Sequence, residues 1–371
     1  MSLGMRSGWM LVGVVVSACG VACAGDANRG VLDVIAFGSC AREYQPQPVW
    51  EDIVAHDPDL FLFIGDNQYA DLHPEGDRRV MKPVTDIRRI EEAYADLAAQ
   101  PGWALINEQC PVLATWDDHD FGKNDGGAEY PLKAESQRVF MDFYGVPADH
   151  PMRSREGVYQ AQMFGPEGRR VQVILLDTRY HRDAIERNPA GRVNGLGPYM
   201  PTTDASRTML GEAQWAWLGE QLEQPADVRI IASSVQVIAD EHGWETWGNM
   251  PHERRRLYEL IDEKDASGVV FLSGDRHLME ISRHAAGVDG APYAMWDFTS
   301  SGMTEAGERV VRDPNSDRVG PVRRTLNYGL VTIDWGESAT GGDTEIALEG
   351  RGFDGELLTR QSVWLSALRE R

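Results

Sequence analysis

The sequence predicts a layered α/β fold built around a mixed sheet. Three observations predict it. Short apolar runs alternate with longer helical segments, each run gives way to polar residues, and no internal repeat, low-complexity tract or Pro/Gly linker divides the chain. With 371 residues, 42% of them apolar, there is ample material for a buried core, so disorder is excluded and one domain spanning 25–371 is expected.

The N-terminus reads as an export signal over residues 1–24: Arg6, an apolar stretch from Trp9 to Ala18, then small residues. Ala22-Cys23-Ala24 offers an A-x-A cleavage site before Gly25, whereas Val16-Ser17-Ala18-Cys19 resembles a bacterial lipobox in which Cys19 carries the lipid. Both routes stay open, and both imply an exported protein: periplasmic, secreted, or lipid-anchored at the cell surface. A membrane-spanning anchor is disfavoured, because Gly13 and Gly20 interrupt a run already short of the roughly 20 residues a bilayer core requires.

Strands are expected at Val31 to Phe37, Asp59 to Ile64, Val112 to Trp116, Val171 to Asp177, Arg229 to Ser233 and Val269 to Ser273, all short and apolar. Helices are expected at Asp86 to Ala99, Leu132 to Tyr144, Gly211 to Gln224 and Pro251 to Lys264, the last opened by its proline. Trp215, Leu218 and Leu222 share one helix face and are read as core. Gln160 to Asp177 reads as a hairpin around Gly165-Pro166-Glu167-Gly168, and Asn327 to Asp334 with Thr344 to Leu348 adds antiparallel strands, which makes the sheet mixed. The long Gly-, Pro- and Asn-rich stretch from Arg182 to Leu210 is expected to form a functional rim loop.

Asp plus Glu number 58 against 36 Lys plus Arg, a formal charge of -22, so the surface repels nucleic-acid phosphates and nucleic-acid binding is not the main role. Carboxylates suit hard cations, but most of them simply face water. Cys40 and Cys110 lie in the mature domain, and an exported pair is first a disulfide candidate. Cys110 precedes an apolar run, whereas Cys40 follows a strand, so their roles need not match.

The chemistry gathers where strands end, the usual place for ligands in open α/β sheets. The ends are Phe37-Gly38-Ser39-Cys40, Gly65-Asp66-Asn67-Gln68-Tyr69-Ala70-Asp71, Trp116-Asp117-Asp118-His119-Asp120 and Ser273-Gly274-Asp275-Arg276-His277. They supply thiolate, carboxylates, phenolate and imidazole. A trivalent iron favours anionic thiolate or phenolate, whereas calcium, magnesium or manganese suits carboxylates, so two unlike metals are expected. Each element alone is ordinary turn chemistry. Their joint appearance at successive strand ends points to a metal site.

The order F-G-S-C, G-D-x-x-Y-x-D, A-T-W-D-D-H-D-F-G-K-N-D, L-D-T-R-Y, S-S-x-Q and S-G-D-R-H, over about Asp33 to Asp334, resembles PhoD-type alkaline phosphatases of the metallophosphatase superfamily. Met209-Leu210-Gly211 through Gln214 to Trp217-Leu218 extends the likeness. The resemblance implies a four-layer αββα sandwich with two packed mixed sheets and a dinuclear centre of Fe3+ plus Ca2+, with Mg2+, Mn2+ or Zn2+ as alternatives at the second position. It implies that Asp66 bridges, that Cys40, Tyr69 and His277 complete the iron side, and that Asp118 and Asp275 complete the divalent side. His119 faces the substrate. The chain departs from the wider superfamily's D-x-H, G-N-H and G-H-x-H motifs in the way PhoD-type proteins do. Such relatives often carry a sandwich domain ahead of the catalytic part, for which too few residues precede Asp33 here.

The expected activity is hydrolysis of phosphate mono- or diesters, small-molecule, lipid or polymer, by in-line attack of a metal-bound hydroxide. His119 protonates the leaving group as general acid. Arg179 is either a phosphate clamp or a structural partner of Asp177 or another carboxylate, the second favoured. Asn124 and Asp125 bind metal or substrate, or fix the loop after His119; Arg42 and Gln236 are outer candidates. Trp244 and Trp247, with His242 and His252, either grip an organic leaving group or pack beneath their loop. A non-catalytic cell-surface metalloprotein that binds phosphorylated polymers or lipids is the alternative, and it gives His119 no purpose beside the ligands. An iron–thiolate oxidoreductase lacks a recognisable partner site.

Overall fold

A computed structural model of the chain describes residues 30–306, 312–336 and 342–369. In chain order the elements are β1 (Val34–Gly38), α1 (Val49–Val54), β2 (Leu60–Ile64), β3 (Leu72–Glu75), β4 (Arg78–Met81), α2 (Arg88–Ala98), α3 (Pro101–Gln109), β5 (Val112–Thr115), α4 (Asp118–Phe121), α5 (Lys133–Phe143), β6 (Gln160–Phe164) and β7 (Val171–Leu175). Then follow α6 (Glu212–Leu222), β8 (Val228–Ser233), α7 (Pro251–Glu263), β9 (Val269–Ser273), β10 (Met279–His284), β11 (Met295–Ser300), β12 (Arg318–Arg323), β13 (Asn327–Asp334), β14 (Glu345–Gly352) and β15 (Leu357–Trp364). One sheet runs β15-β14-β13-β1-β2-β5, the other β12-β10-β11-β9-β8-β7-β6, and β3 pairs with β4 apart from both. Both large sheets are mixed: β1, β2 and β5 are parallel while β13 runs against β1, and β7, β8 and β9 are parallel while β6 runs against β7.

The layering follows from strand pleat. Along β2, Leu60, Leu62 and Ile64 join the core shared with Val173, Ile230 and Val331, between the sheets, while Phe61 and Phe63 enter a second core with Trp50, Ile106 and Phe140 of the covering helices. A strand buried on both faces reads as a continuous apolar run, which is why β2 shows no alternation. Trp50 seals that second core edge-on against Phe61 and Phe63, with ring centroids 5.0 and 5.8 Å apart. On the other sheet, α6 turns Trp215, Leu218 and Leu222 inward, as their spacing predicts. The molecule is therefore helices, sheet, sheet, helices.

The expected strands and helices all appear within a few residues, and the hairpin pairs Gln160 with Leu175 through Phe164 with Val171. Arg182 to Leu210 forms no helix or strand, only an isolated bridge from Arg187 to Tyr199. Cys40 and Cys110 are both free, so the disulfide reading is wrong. In a parallel β1-β2-β5 array they lie at opposite ends: Cys40 follows the end of β1, whereas Cys110 precedes the start of β5. Among the described residues no helix is long and apolar enough to cross a membrane. The signal peptide, its cleavage site and the Cys19 lipobox lie outside the described residues.

Candidate metal centre

Parallel β1, β2 and β5 deliver their carboxyl ends side by side, and β9 delivers its own from the facing sheet. Close approach of the loops depends on two glycines. Gly65 has φ 115°, and a Cβ there would lie 2.7 Å from the Cβ of Asp117; at Gly274 it would lie 2.6 Å from Ser39 Oγ. The first two loops are tied by hydrogen bonds from Cys40 N–H to Gly65 O (3.3 Å) and Ala41 N–H to Asp66 O (3.0 Å).

Four of the proposed donors occupy the left-handed region, with φ 61° at Cys40, 50° at Asp66, 68° at Asp275 and 53° at His277. For a cysteine or histidine this conformation is costly, and such outliers gather where surrounding structure over-determines them. Here it turns each side chain inward immediately after its strand.

The sequence-predicted residues do meet. Cys40 Sγ lies 3.2 Å from Asp66 Oδ2 and 3.2 Å from Ser301 Oγ. Tyr69 donates its hydroxyl to the same Asp66 oxygen at 3.1 Å and lies 3.4 Å from His277 Nε2. Cys40, Asp66 and His277 each place a donor atom within 4.8 Å of the other two, as do Asp66, Asp118 and His119, and as do Asp117, Asp118 and Asp275. Asp66 thus belongs to two overlapping groups and Asp118 to three, the third with Asp125 and Glu245. The other Asp66 oxygen accepts the His119 backbone N–H at 3.3 Å.

Electrostatics mark the cluster as short of positive charge. Burial, then Asp66, raises Cys40 and Tyr69 well above their ordinary pKa values; burial also raises Asp66 and Asp275. Burial would raise Asp118 too, but His119 and Arg179 override it and hold it down at about 2. Burial, aided by His119, lowers His277 to about 3, leaving a neutral imidazole able to donate a lone pair. Asp118 Oδ1 is buried without a hydrogen-bond partner, an expensive state for a carboxylate oxygen unless a cation faces it. A donor set of thiolate, phenolate, imidazole and carboxylates fits a trivalent iron beside a hard divalent ion.

His119 is held by a residue that lies inside a motif but has no role legible from sequence. Its Nδ1 lies 2.7 Å from Asp71 Oδ1, both groups buried, and its ring stacks on Tyr69 with centroids 4.1 Å apart. Asp71 closes G-D-x-x-Y-x-D, and its spacing from Asp66 is the signal that could have found it. Asn124 meets this pair through its backbone N–H, which faces the Asp71 carboxylate, and its side chain is half-buried. Ser301, which touches Cys40 and carries no recognisable signal in the sequence, also accepts the His277 backbone N–H at 2.8 Å.

Other candidates take structural places. Arg179 is fully buried; its Nε donates to Asp117 Oδ1 at 2.6 Å and its NH2 group lies 2.7 Å from Glu245, so its guanidinium is engaged by these two carboxylates and not by Asp177. Ser234 Oγ also donates to Asp117 Oδ1 at 2.6 Å, while Asp117 Oδ2, like Asp118 Oδ1, is buried without a hydrogen-bond partner. Asp125 accepts from the Tyr199 hydroxyl, donates its backbone N–H to Asp118 Oδ2 at 2.6 Å, and is raised to about 7, chiefly by burial. Gln236 is buried against Glu280 and Thr299 at 2.7 and 2.9 Å. Trp247 is core: fully buried, its Nε1 donates to Ser233 Oγ at 3.0 Å, so it grips no leaving group. Trp244 is half-buried, with Arg192 and Arg276 at 4.4 and 5.1 Å from its ring. His242 accepts the Trp244 backbone N–H, and His252 lies against Arg207 O.

Comparison with known proteins agrees with this arrangement. The family model described as PhoD-like phosphatase matches residues 35–325. Among curated proteins, "Alkaline phosphatase D" of Bacillus subtilis (strain 168) is 22% identical over 276 residues, 68% of this chain and 46% of that protein. The chain thus spans about half the length of that relative. A solved structure described as "Structure of PhoD" superposes with a TM-score of 0.69 over 91% of this chain and 69% of its own, at 17% identity, a likeness of fold. A family match over most of the sequence, a shared fold and the convergent strand ends lead to one conclusion: this chain belongs to the PhoD-like phosphatase family.

Proposed function

We propose that this chain is an exported metal-dependent phosphoesterase that hydrolyses phosphate mono- or diesters at a dinuclear centre. The observation that carries the reading is the convergence of Cys40, Asp66, Tyr69 and His277 beside Asp118, with His119 held on Asp71 at the edge of the same cluster. Cys40, Tyr69 and His277 would hold the trivalent iron, Asp118 and Asp275 the calcium or a substitute divalent ion, and Asp66 both. When bound, such a pair polarises the phosphoryl oxygens and acidifies the attacking water.

The protein's own residues do the rest. Asp71 accepts from His119 Nδ1, which fixes the ring's orientation and leaves Nε2 to face the substrate. Burial lowers the His119 pKa, but Asp118, Asp71 and Asp66 outweigh it, and once cations offset Asp118 and Asp66 it is Asp71 that supports the proton for the leaving oxygen. Tyr69 stacks on the imidazole and excludes water from one face. Export rests on the N-terminal segment Arg6 to Ala24.

The test is phosphate release from a panel of mono- and diesters by purified protein, stripped and then reloaded with iron and calcium. Release that depends on both ions is expected. Tight phosphate binding with no turnover under any loading would instead support the non-catalytic reading.

A further inference from the structure

Most arginines near the centre are already committed. Arg179 is fully buried against Asp117 and Glu245, Arg182 is engaged by Glu245, and Arg276 pairs with Asp313 at 2.8 Å while facing Trp244. Arg42 is different. It lies two residues beyond Cys40, its guanidinium carbon is 5.3 Å from the centroid of Tyr69, and its side chain keeps 26% of its surface open to solvent. Its NH2 group lies 2.7 Å from Glu305 Oε2, and its Nε is buried without any hydrogen-bond partner. An arginine fork with an unused donor, beside a phenol that belongs to the metal cluster, is suited to a phosphoryl oxygen.

Glu305 is not a casual surface partner. Its segment is registered against the loop that carries Cys40: Met303 N–H donates to Ser39 O at 3.2 Å, Thr304 N–H to Cys40 O at 3.1 Å, and Arg42 N–H to Thr304 Oγ1 at 2.8 Å. The carboxylate is therefore delivered by backbone geometry to the guanidinium, with only 17% of its side chain exposed. Burial raises its pKa, while Arg42 and then His119 pull it down, which puts Glu305 within electrostatic reach of His119 as well. A carboxylate so placed is an anion already in position on the guanidinium.

We propose that Arg42 is a phosphate-recognising residue of this site and that Glu305 is an internal anion that competes with phosphate for it. The inference rests on the phosphoesterase reading for its substrate class. Entering phosphate takes the Arg42 fork, Glu305 turns toward solvent, and on product departure the carboxylate returns and weakens product retention. Glu305 thus lowers affinity for phosphate and eases its release.

Inorganic phosphate is the probe, titrated calorimetrically into the full chain loaded with iron and calcium, with elemental analysis of each variant. Glu305→Gln keeps the shape and removes the competing charge, so phosphate should bind roughly fivefold more tightly, the scale of one partly buried ion pair. Arg42→Met should weaken binding about tenfold, and the double variant should match Arg42→Met, since without the guanidinium nothing remains for Glu305 to block. Unchanged or weaker binding in Glu305→Gln overturns the proposal, as does no phosphate binding by either protein. Turnover measured on the same samples separates the two readings. Tighter binding in Glu305→Gln without hydrolysis by any sample keeps this inference and removes the esterase; normal hydrolysis with unaltered phosphate affinity removes this inference alone.

Discussion

Replacing Asp71 by Asn gives the sharpest view of how His119 works. The amide keeps the size and can still accept from Nδ1, so the 2.7 Å contact survives while its negative charge does not. A hydrogen bond to a charged group contributes about 1.5 to 3 kcal/mol against about 0.5 to 1.5 for a neutral one, so the imidazolium loses on the order of 1.5 kcal/mol of support. Cations bound by Asp66 and Asp118 would offset those two carboxylates, which leaves Asp71 as the anion still acting on the ring. At a pH above the pKa of the imidazolium, about 1.5 kcal/mol lowers its population about tenfold, and kcat with it. The loss should fall on alkyl phosphate esters, whose alkoxide must be protonated as it leaves, and nearly vanish on nitrophenyl esters, whose phenolate departs unaided. The assay is kcat on both ester types, with metal content measured in parallel. An equal loss on the two esters, or a loss of bound metal, would refute the general-acid reading.

Cys40→Ser removes the thiolate while leaving Asp66 and Tyr69 in place; elemental analysis should then find the trivalent ion lost and the divalent ion kept, and an unaltered iron content would remove Cys40 from the centre. Asp297 is raised to about 6, first by burial, although it accepts from Val237 N–H, Ile238 N–H and Ser273. A carboxyl whose folded pKa lies above its unfolded value stabilises most below the unfolded value, so this contribution, about 3 kcal/mol, should fade as pH rises from about 4 to 6. Asp297→Asn should flatten the slope of unfolding free energy over that window, and an unchanged slope contradicts the assignment. Gly329 pairs with Phe37, and a Cβ there would lie 2.0 Å from Phe37 Cε1; Gly329→Ala should cost about 1 to 3 kcal/mol of stability by denaturant unfolding, and a neutral result would show that β1 can shift.

The sheets are legible in the sequence because their central strands are apolar on both faces, and Leu60 to Ile64 can hardly be anything else. Other strands lack that signal: β12 is half-exposed and carries Gly320 and Pro321, β15 is half-buried or exposed with Val363 alone buried, and both are edge strands. Helices α1 and α3 are illegible for another reason, since both are shorter than the roughly 11 residues over which helical periodicity can be read. In the site, donors with distinctive chemistry are visible in sequence because they follow strands. The residues that orient them are not. Ser301 and Glu245 are ordinary residue types in irregular segments, and only the meeting of the two sheets gives them work to do.

That meeting has a practical consequence. Cys40, Asp66 and Asp118 come from one sheet and Asp275 and His277 from the other, so any ion or ligand gripping both sets resists their separation. A ligand that binds only the assembled form shifts the folding equilibrium by mass action, by about 2.7 kcal/mol at a hundredfold excess over its dissociation constant. Melting temperature therefore becomes a reporter of occupancy that requires neither a chromogenic ester nor the natural substrate in hand. A collection of phosphorylated compounds can be ranked by heating alone.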